Sequence, residues 1–254
     1  MNALLIARNT FREATRDRML AGVFVAGLVV LTLTQILSPL ALGEGHRLTV
    51  DLGLSSVALL GLLIVLLVGT SLVAKEIERR TIYNLLARPI ARPEYLVGKW
   101  AGLSAALWTV ATLLGLSLWG LLALRGEGAS GPAVLQALYF SLLELGLITA
   151  LAVLFSALST PVLSALYTLG VYLVGQWTSD LRGFATKFPH GLRELLETAA
   201  NVAPNLPLFN TRTLAANGEL AGPLQVAVAT LYALTYIVCV LALATAAFES
   251  RDFK

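Results

Sequence analysis

The sequence predicts an all-α, polytopic membrane protein with six spans, and three observations predict it. Hydrophobic residues fill 57% of the 254 positions and charged residues only 13%, about half the charged share of an ordinary soluble domain, and the mean hydropathy is +0.79. The apolar residues fall in runs long enough to cross a bilayer as helices. The longest charged interruption between them, Lys75–Lys99, holds six of the eighteen Lys and Arg residues, with only Glu76, Glu78 and Glu94 against them.

In chain order, residues 1–18 form a basic amphipathic segment. Leu4, Ala7, Phe11 and Ala14 follow one stripe, and Arg8, Arg12 and Arg16 recur at i+4 on another. A helix of this kind is expected to lie in the headgroup plane. The apolar run after it, about Met19–Leu42, is far longer than the ~7–15 residues of a cleavable signal-peptide core, so residues 1–18 read as an uncleaved amphipathic elbow helix leading into span one. Span two, about Leu52–Ala74, has 23 residues without a charge, enough to cross with some tilt. Span three, about Tyr95–Leu124, carries Gly98, Gly102 and Ala106 at every fourth position, a ladder along which another helix can approach closely. Packing within one subunit and a dimer seam both fit that ladder.

Span four, about Ala133–Leu158, contains Glu144, the one ionisable side chain well inside a predicted span. Span five, about Val162–Trp177, follows the short turn Ser159-Thr160-Pro161, so spans four and five form a tight hairpin. Span six, about Leu224–Phe248, precedes the polar tail Glu249–Lys254. Six spans put both termini on one side. That side then carries twelve Lys and Arg, in residues 1–18, Lys75–Lys99 and the tail, against six on the other: Arg47, Arg125, Arg182, Lys187, Arg193 and Arg212. The positive-inside rule makes the richer side cytoplasmic. The chain is thus a single transmembrane domain, 1–254, with a cytoplasmic loop at 75–94 and an extracytoplasmic loop at 178–223. In the latter, Leu192, Leu195, Leu196 and Ala199 mark one short interfacial or re-entrant helix, and Pro204, Pro207, Asn217-Gly218 and Pro223 mark an irregular segment after it.

The cytoplasmic loop has its own pattern. Ile77, Ile82, Leu85 and Leu86 recur at near-helical spacing among Glu78, Arg79, Arg80 and Asn84, which predicts a short amphipathic helix that Pro89 ends. Pro93 and Glu94 then suit the first turn of the next helix. An apolar stripe flanked by fixed charges is what a docking surface for a soluble partner needs. The run Glu76-Ile77-Glu78-Arg79-Arg80-Thr81-Ile82, with Leu85-Leu86-Ala87-Arg88-Pro89 and Arg92-Pro93-Glu94-Tyr95-Leu96-Val97-Gly98-Lys99, resembles the first cytoplasmic loop of ABC-2 type transporter permeases. It is most similar to the NosY-like branch, the permeases of multicopper-enzyme maturation systems, which usually have Gly where Arg80 stands.

The resemblance implies the transmembrane domain of a type-2 ABC exporter in the cytoplasmic (inner) membrane. Its cytoplasmic coupling helix would engage an ABC ATPase through Glu76, Glu78, Arg79, Arg80, Thr81, Ile82, Leu85, Leu86 and Arg88. It implies two ATPase copies, which bind the ATP and Mg, a second permease copy as a homodimer, and spans one, two and five at the dimer interface. It also leaves room for an extracytoplasmic accessory protein.

Catalytic chemistry has no foothold in the residues. There is no G-x-x-x-x-G-K-[ST], and the Gly98-Lys99 pair is followed by Trp100 on a predicted helix. No catalytic, cofactor or metal-ligand set is expected: His46 and His190 stand alone in outward loops, and the single Cys239 lies in the last apolar run. Two methionines, two histidines and one cysteine offer no soft-ligand route for Cu(I). A net charge of +3 placed beside apolar runs points to the membrane surface and not to nucleic acid. The alternative function is an ATP-independent secondary transporter or a membrane scaffold. A secondary transporter would be expected to show paired broken spans and several midplane charges, where this chain has Glu144 alone. That carboxylate must face the protein interior, either bonding a neighbouring helix or serving the transport path.

Overall fold

The protein is described here by a computed structural model covering residues 2–71, 92–185 and 190–249. These residues are almost entirely helical: α1 Asn2–Arg16, α2 Arg18–Leu37, α3 Gly45–Leu67, α4 Arg92–Leu124, α5 Gly131–Leu158, α6 Pro161–Gln176, α7 Thr178–Ala185, α8 His190–Val202, α9 Arg212–Ala216 and α10 Pro223–Glu249. Among the described residues five helices, α2, α3, α4, α5 and α10, are long and apolar enough to cross a membrane, while α6 is apolar but shorter. The loop residues singled out above, Glu76, Glu78, Arg79, Arg80, Thr81, Ile82, Leu85, Leu86 and Arg88, lie outside the described residues.

Contacts between distant residues fix the two ends of the bundle. At one end, called the near end, the Arg92 Nη1 donates to the Phe248 carbonyl over 3.2 Å and Tyr95 stacks on Phe248, joining the start of α4 to the close of α10. At the far end, Arg125 Nη1 donates to Ser38 Oγ over 2.8 Å, and His46 Nδ1 lies 2.8 Å from Glu127 Oε2. His46 is therefore not a solitary surface histidine; it ties the start of α3 to the turn between α4 and α5. That turn reverses the chain at Gly126, whose φ of +80° is open to glycine at no steric cost.

The core forms where α5 passes between its neighbours. Leu54, Leu107, Leu114, Leu118 and Ile148 are buried between α3, α4 and α5, and Phe140, Leu147, Ala229, Ala233 and Phe248 are buried between α5 and α10. Lipid is as apolar as these side chains, so close packing and hydrogen bonds, not escape from water, hold such helices together. Two indoles supply such bonds, Trp108 Nε1 to the Leu142 carbonyl at 2.8 Å and Trp100 Nε1 to the Gly146 carbonyl at 2.9 Å. Both tie α4 to α5.

The amphipathic α1 is seated on α4. A Cβ built on Gly98 would come within 2.8 Å of the Ala3 carbonyl oxygen and of Ile6 Cβ, and one on Gly102 would overlap the Ala7 carbonyl oxygen and lie 2.7 Å from Thr10 Cβ. Ala106, the third rung, is fully buried in the core. The face of α1 turned to the protein is thus Ala3, Ile6, Ala7, Thr10 and Ala14, whereas Leu4 and Leu5 are 77% and 61% exposed. Of the apolar stripe read from the sequence, Ala7, Phe11 and Ala14 turn to the protein and Leu4 does not. Close backbone approach admits small residues and leaves the two leucines outside.

The segment after α6 holds more structure than one helix. It contains α7, α8, a 3₁₀ turn at Leu206–Phe209 and α9, and Leu192, Leu195, Leu196 and Ala199 fall on α8. It is stitched back to the bundle. Ala221 N donates to Gln136 Oε1 at 2.7 Å while Gln136 Nε2 donates to the Ala221 carbonyl at 3.1 Å; Asn205 N donates to Tyr232 Oη at 2.8 Å. Ala215 and Ala216 of α9 are buried in the α3–α5 core.

Register explains why this segment packs so deep. α6 runs antiparallel to α5 from the turn at Thr160, with Ser164 Oγ donating to the Phe155 carbonyl at 2.8 Å, and its last residue, Gln176, reaches Glu144. Glu144 stands roughly 20 Å along α5 from Gly131 at 1.5 Å per residue. The 16 residues of α6 span only about 24 Å and so accompany just the near half of α5. The far half is covered instead by the turn around Pro204–Leu206, which packs on Gly175, and by α9.

Candidate functional site

Glu144 is 4% exposed, enclosed among α3, α5, α6 and α9. Its Oε1 accepts a 2.6 Å hydrogen bond from Gln176 Nε2 at the end of α6. Tyr172, one turn earlier on α6, interacts with both Gln176 and Glu144. A cation also acts on the carboxylate: Arg212, the first residue of α9, couples to it electrostatically and donates through Nη1 to Ser55 Oγ of α3 at 3.2 Å. The cluster therefore joins four helices through one acid, one base, one amide and two hydroxyls. Hydrogen bonds within the protein offset the burial of a carboxyl at such a position. Ser141, on the same face one turn back, instead donates to its own helix at the Ala137 carbonyl.

The partners of Glu144 lay beyond the sequence reading, which set Arg212 among the outward loop cations. One signal for Gln176 was present, because Glu144 and Gln176 are equally distant in sequence from Thr160, and an antiparallel hairpin about that residue sets them side by side. Arg212 had no such signal, since its approach depends on the whole fold of residues 178–222.

At the near end, Lys99, which closes the charged stretch and falls on the predicted span-three helix, lies within α4 with its side chain 4% exposed. Its Nζ is 3.9 Å from Glu13 Oε2 of α1 and 5.9 Å from the centre of the Tyr95 ring. The lysine stem is sheathed by the α1–α4 seam while its ammonium reaches an acid on the rim. Gly98 and Gly102, a turn apart on either side of it, let α1 come near enough for that contact. The arrangement fixes α1 to the first turns of α4, immediately after the charged loop. Among the described residues no group of three or more His, Cys, Asp or Glu is placed to hold a metal ion.

Among the described residues, five long apolar helices with buried polar contacts between them describe a multi-pass membrane protein. The family profile described as ABC-2 family transporter protein matches residues 4–253, and the chain belongs to that family. It is accordingly a multi-pass membrane protein and the permease of an ABC transporter, of a family whose members typically work with an ATPase partner. No curated protein matches it.

Proposed function

We propose that this chain couples ATP hydrolysis by a separate cytoplasmic ATPase to export of a substrate across the cytoplasmic membrane, as one half of a permease homodimer with two ATPase copies. The observation that carries this reading is the match of residues 4–253 to the ABC-2 family transporter profile, on a bundle built around Glu144. The near half is closed by α6 and the far half by a segment that folds back and contributes Arg212. Packing of irregular backbone at depth is tolerated where protein surrounds it. Hydrogen bonds of Gln136, Tyr232 and Arg212 and the buried Leu206, Phe209, Ala215 and Ala216 hold that segment to the bundle.

In this reading α6 is the sixth crossing, completed by α7–α9, so both termini face the cytoplasm. The loop between α3 and α4 carries the coupling helix, with Glu76, Glu78, Arg79, Arg80, Thr81, Ile82, Leu85, Leu86 and Arg88 meeting the ATPase. Motion of that loop reaches the bundle through α4 and the seated α1. ATP and Mg belong to the partner, an accessory protein can meet the far-end segment, and kinship to the NosY-like branch rests on the loop motif. Replacing Glu76, Glu78, Arg79 and Arg80 together by Ala is expected to leave membrane insertion intact and release the ATPase on purification. Unchanged copurification would remove the docking assignment.

A further inference from the structure

Between α5, α6 and α10 the near half of the bundle holds a lateral cleft of about 540 Å³. Leu151 and Phe155 form its floor, Val171 and Val174 one wall, and Cys239 and Leu243 the other. Its far end is roofed at mid-bundle, where Val202 and Ala203 close the cleft and Tyr236 Oη donates to the Val202 carbonyl at 3.1 Å.

We infer that this cleft holds one acyl chain of a bilayer phospholipid from the near-end leaflet. Three features point to that occupant. Among the described residues no charged one lines the cleft, and its polar side-chain atoms are the Tyr236 hydroxyl, already bonded, and the weakly polar Cys239 thiol. Ordered water needs two to four polar partners, so a wet cleft is disfavoured, whereas hydrocarbon loses nothing by entering. The cleft lies on helices whose outer surfaces are themselves apolar, with Leu166 and Tyr167 of α6 and Val238 and Leu243 of α10 exposed beside it. It therefore opens sideways into the bilayer interior. Finally, the roof stands at the level where α6 ends, so the cleft has the depth of one leaflet and not of the whole membrane. Gly170 adds width, because a Cβ there would meet nothing within 4 Å. The assignment rests on the chain spanning a membrane and is independent of ATPase coupling.

The test uses the full chain in phosphatidylglycerol vesicles containing a phospholipid with a photoreactive diazirine on its acyl chain, with adducts mapped by mass spectrometry. Adducts are expected on the peptides bearing Leu151–Phe155 and Cys239–Leu243. Gly170→Leu, which fills the cleft from one wall, and Cys239→Trp, which fills it from the other, are expected to abolish those adducts. Labelling at Leu231, exposed elsewhere on α10, should persist and report that the variant is folded and inserted. Cleft adducts undiminished in a variant that retains Leu231 labelling would overturn the proposal. So would an oxidative Cys239–Cys239 cross-link between two copies in the vesicle, which would make a second subunit the occupant.

Discussion

Adding one methyl group at Gly102 tests whether α1 is seated on α4, because the same helix supplies its own control. Gly120 has nothing within 4 Å of a Cβ position, so Gly120→Ala should gain only the helix-propensity difference of about 1 kcal/mol. Gly102→Ala gains the same term but sets a Cβ 2.7 Å from Thr10 Cβ and against the Ala7 carbonyl. Carbon atoms pack at roughly 3.5–4.0 Å, so α1 must retreat by about an ångström. The obstacle includes α1 backbone, which cannot rotate aside as a side-chain tip would. Overpacking of this kind costs about 1–3 kcal/mol, and since propensity cancels in the comparison, that is the expected gap between the variants. At roughly 2–4 °C per kcal/mol for a chain of this size, thermal melts followed by circular dichroism in one detergent should separate them by several degrees, with Gly102→Ala the lower. Trypsin should also cut faster after Arg12 and Arg16 in that variant. Equal melting and equal proteolysis would refute the seating of α1.

Other outcomes follow from the buried contacts. Glu144→Gln can still accept from Gln176 and should assemble normally, whereas Glu144→Leu strands the Gln176 amide at a cost of roughly 1–2 kcal/mol and should lower the melting temperature; equal stability of the two would deny the hydrogen bond its role. If the charge itself serves transport, Glu144→Gln and Arg212→Gln should each assemble with the ATPase yet lose substrate-stimulated ATP turnover. Gln136→Leu removes both bonds to Ala221 and should speed amide exchange at Ala221 without altering the buried amides of α5. Arg193→Cys and Asn217→Cys, each in a Cys239→Ser background, should react with an impermeant thiol reagent from outside intact cells, and labelling only after permeabilisation would reverse the topology.

Composition and the lengths of apolar runs determined that the chain is helical and membrane-embedded, because backbone groups in hydrocarbon must be satisfied within their own segment. Each helix from α2 to α6, and α10, begins and ends within about five residues of a predicted run, except that α3 runs from Gly45 to Leu67 where the run is Leu52–Ala74. The run had been cut at Asp51, yet a charge near a helix end can stay exposed at the rim. The small-residue ladder was legible as a place of close approach, but its occupant was not: any helix can use Gly98 and Gly102, and only the turn at Asp17 brings α1 back onto them.

The same limit applies to Glu144. Its burial followed from the cost of facing a carboxylate to lipid, and even its pairing with Gln176 was latent in the symmetry of the α5–α6 hairpin. The placement of Arg212 was decided by tertiary structure alone. A short α6 leaves the far half of α5 uncovered, and the Leu206–Phe209 turn and α9 fold in to cover it. A local sequence window records the polarity of that segment but not the void it fills.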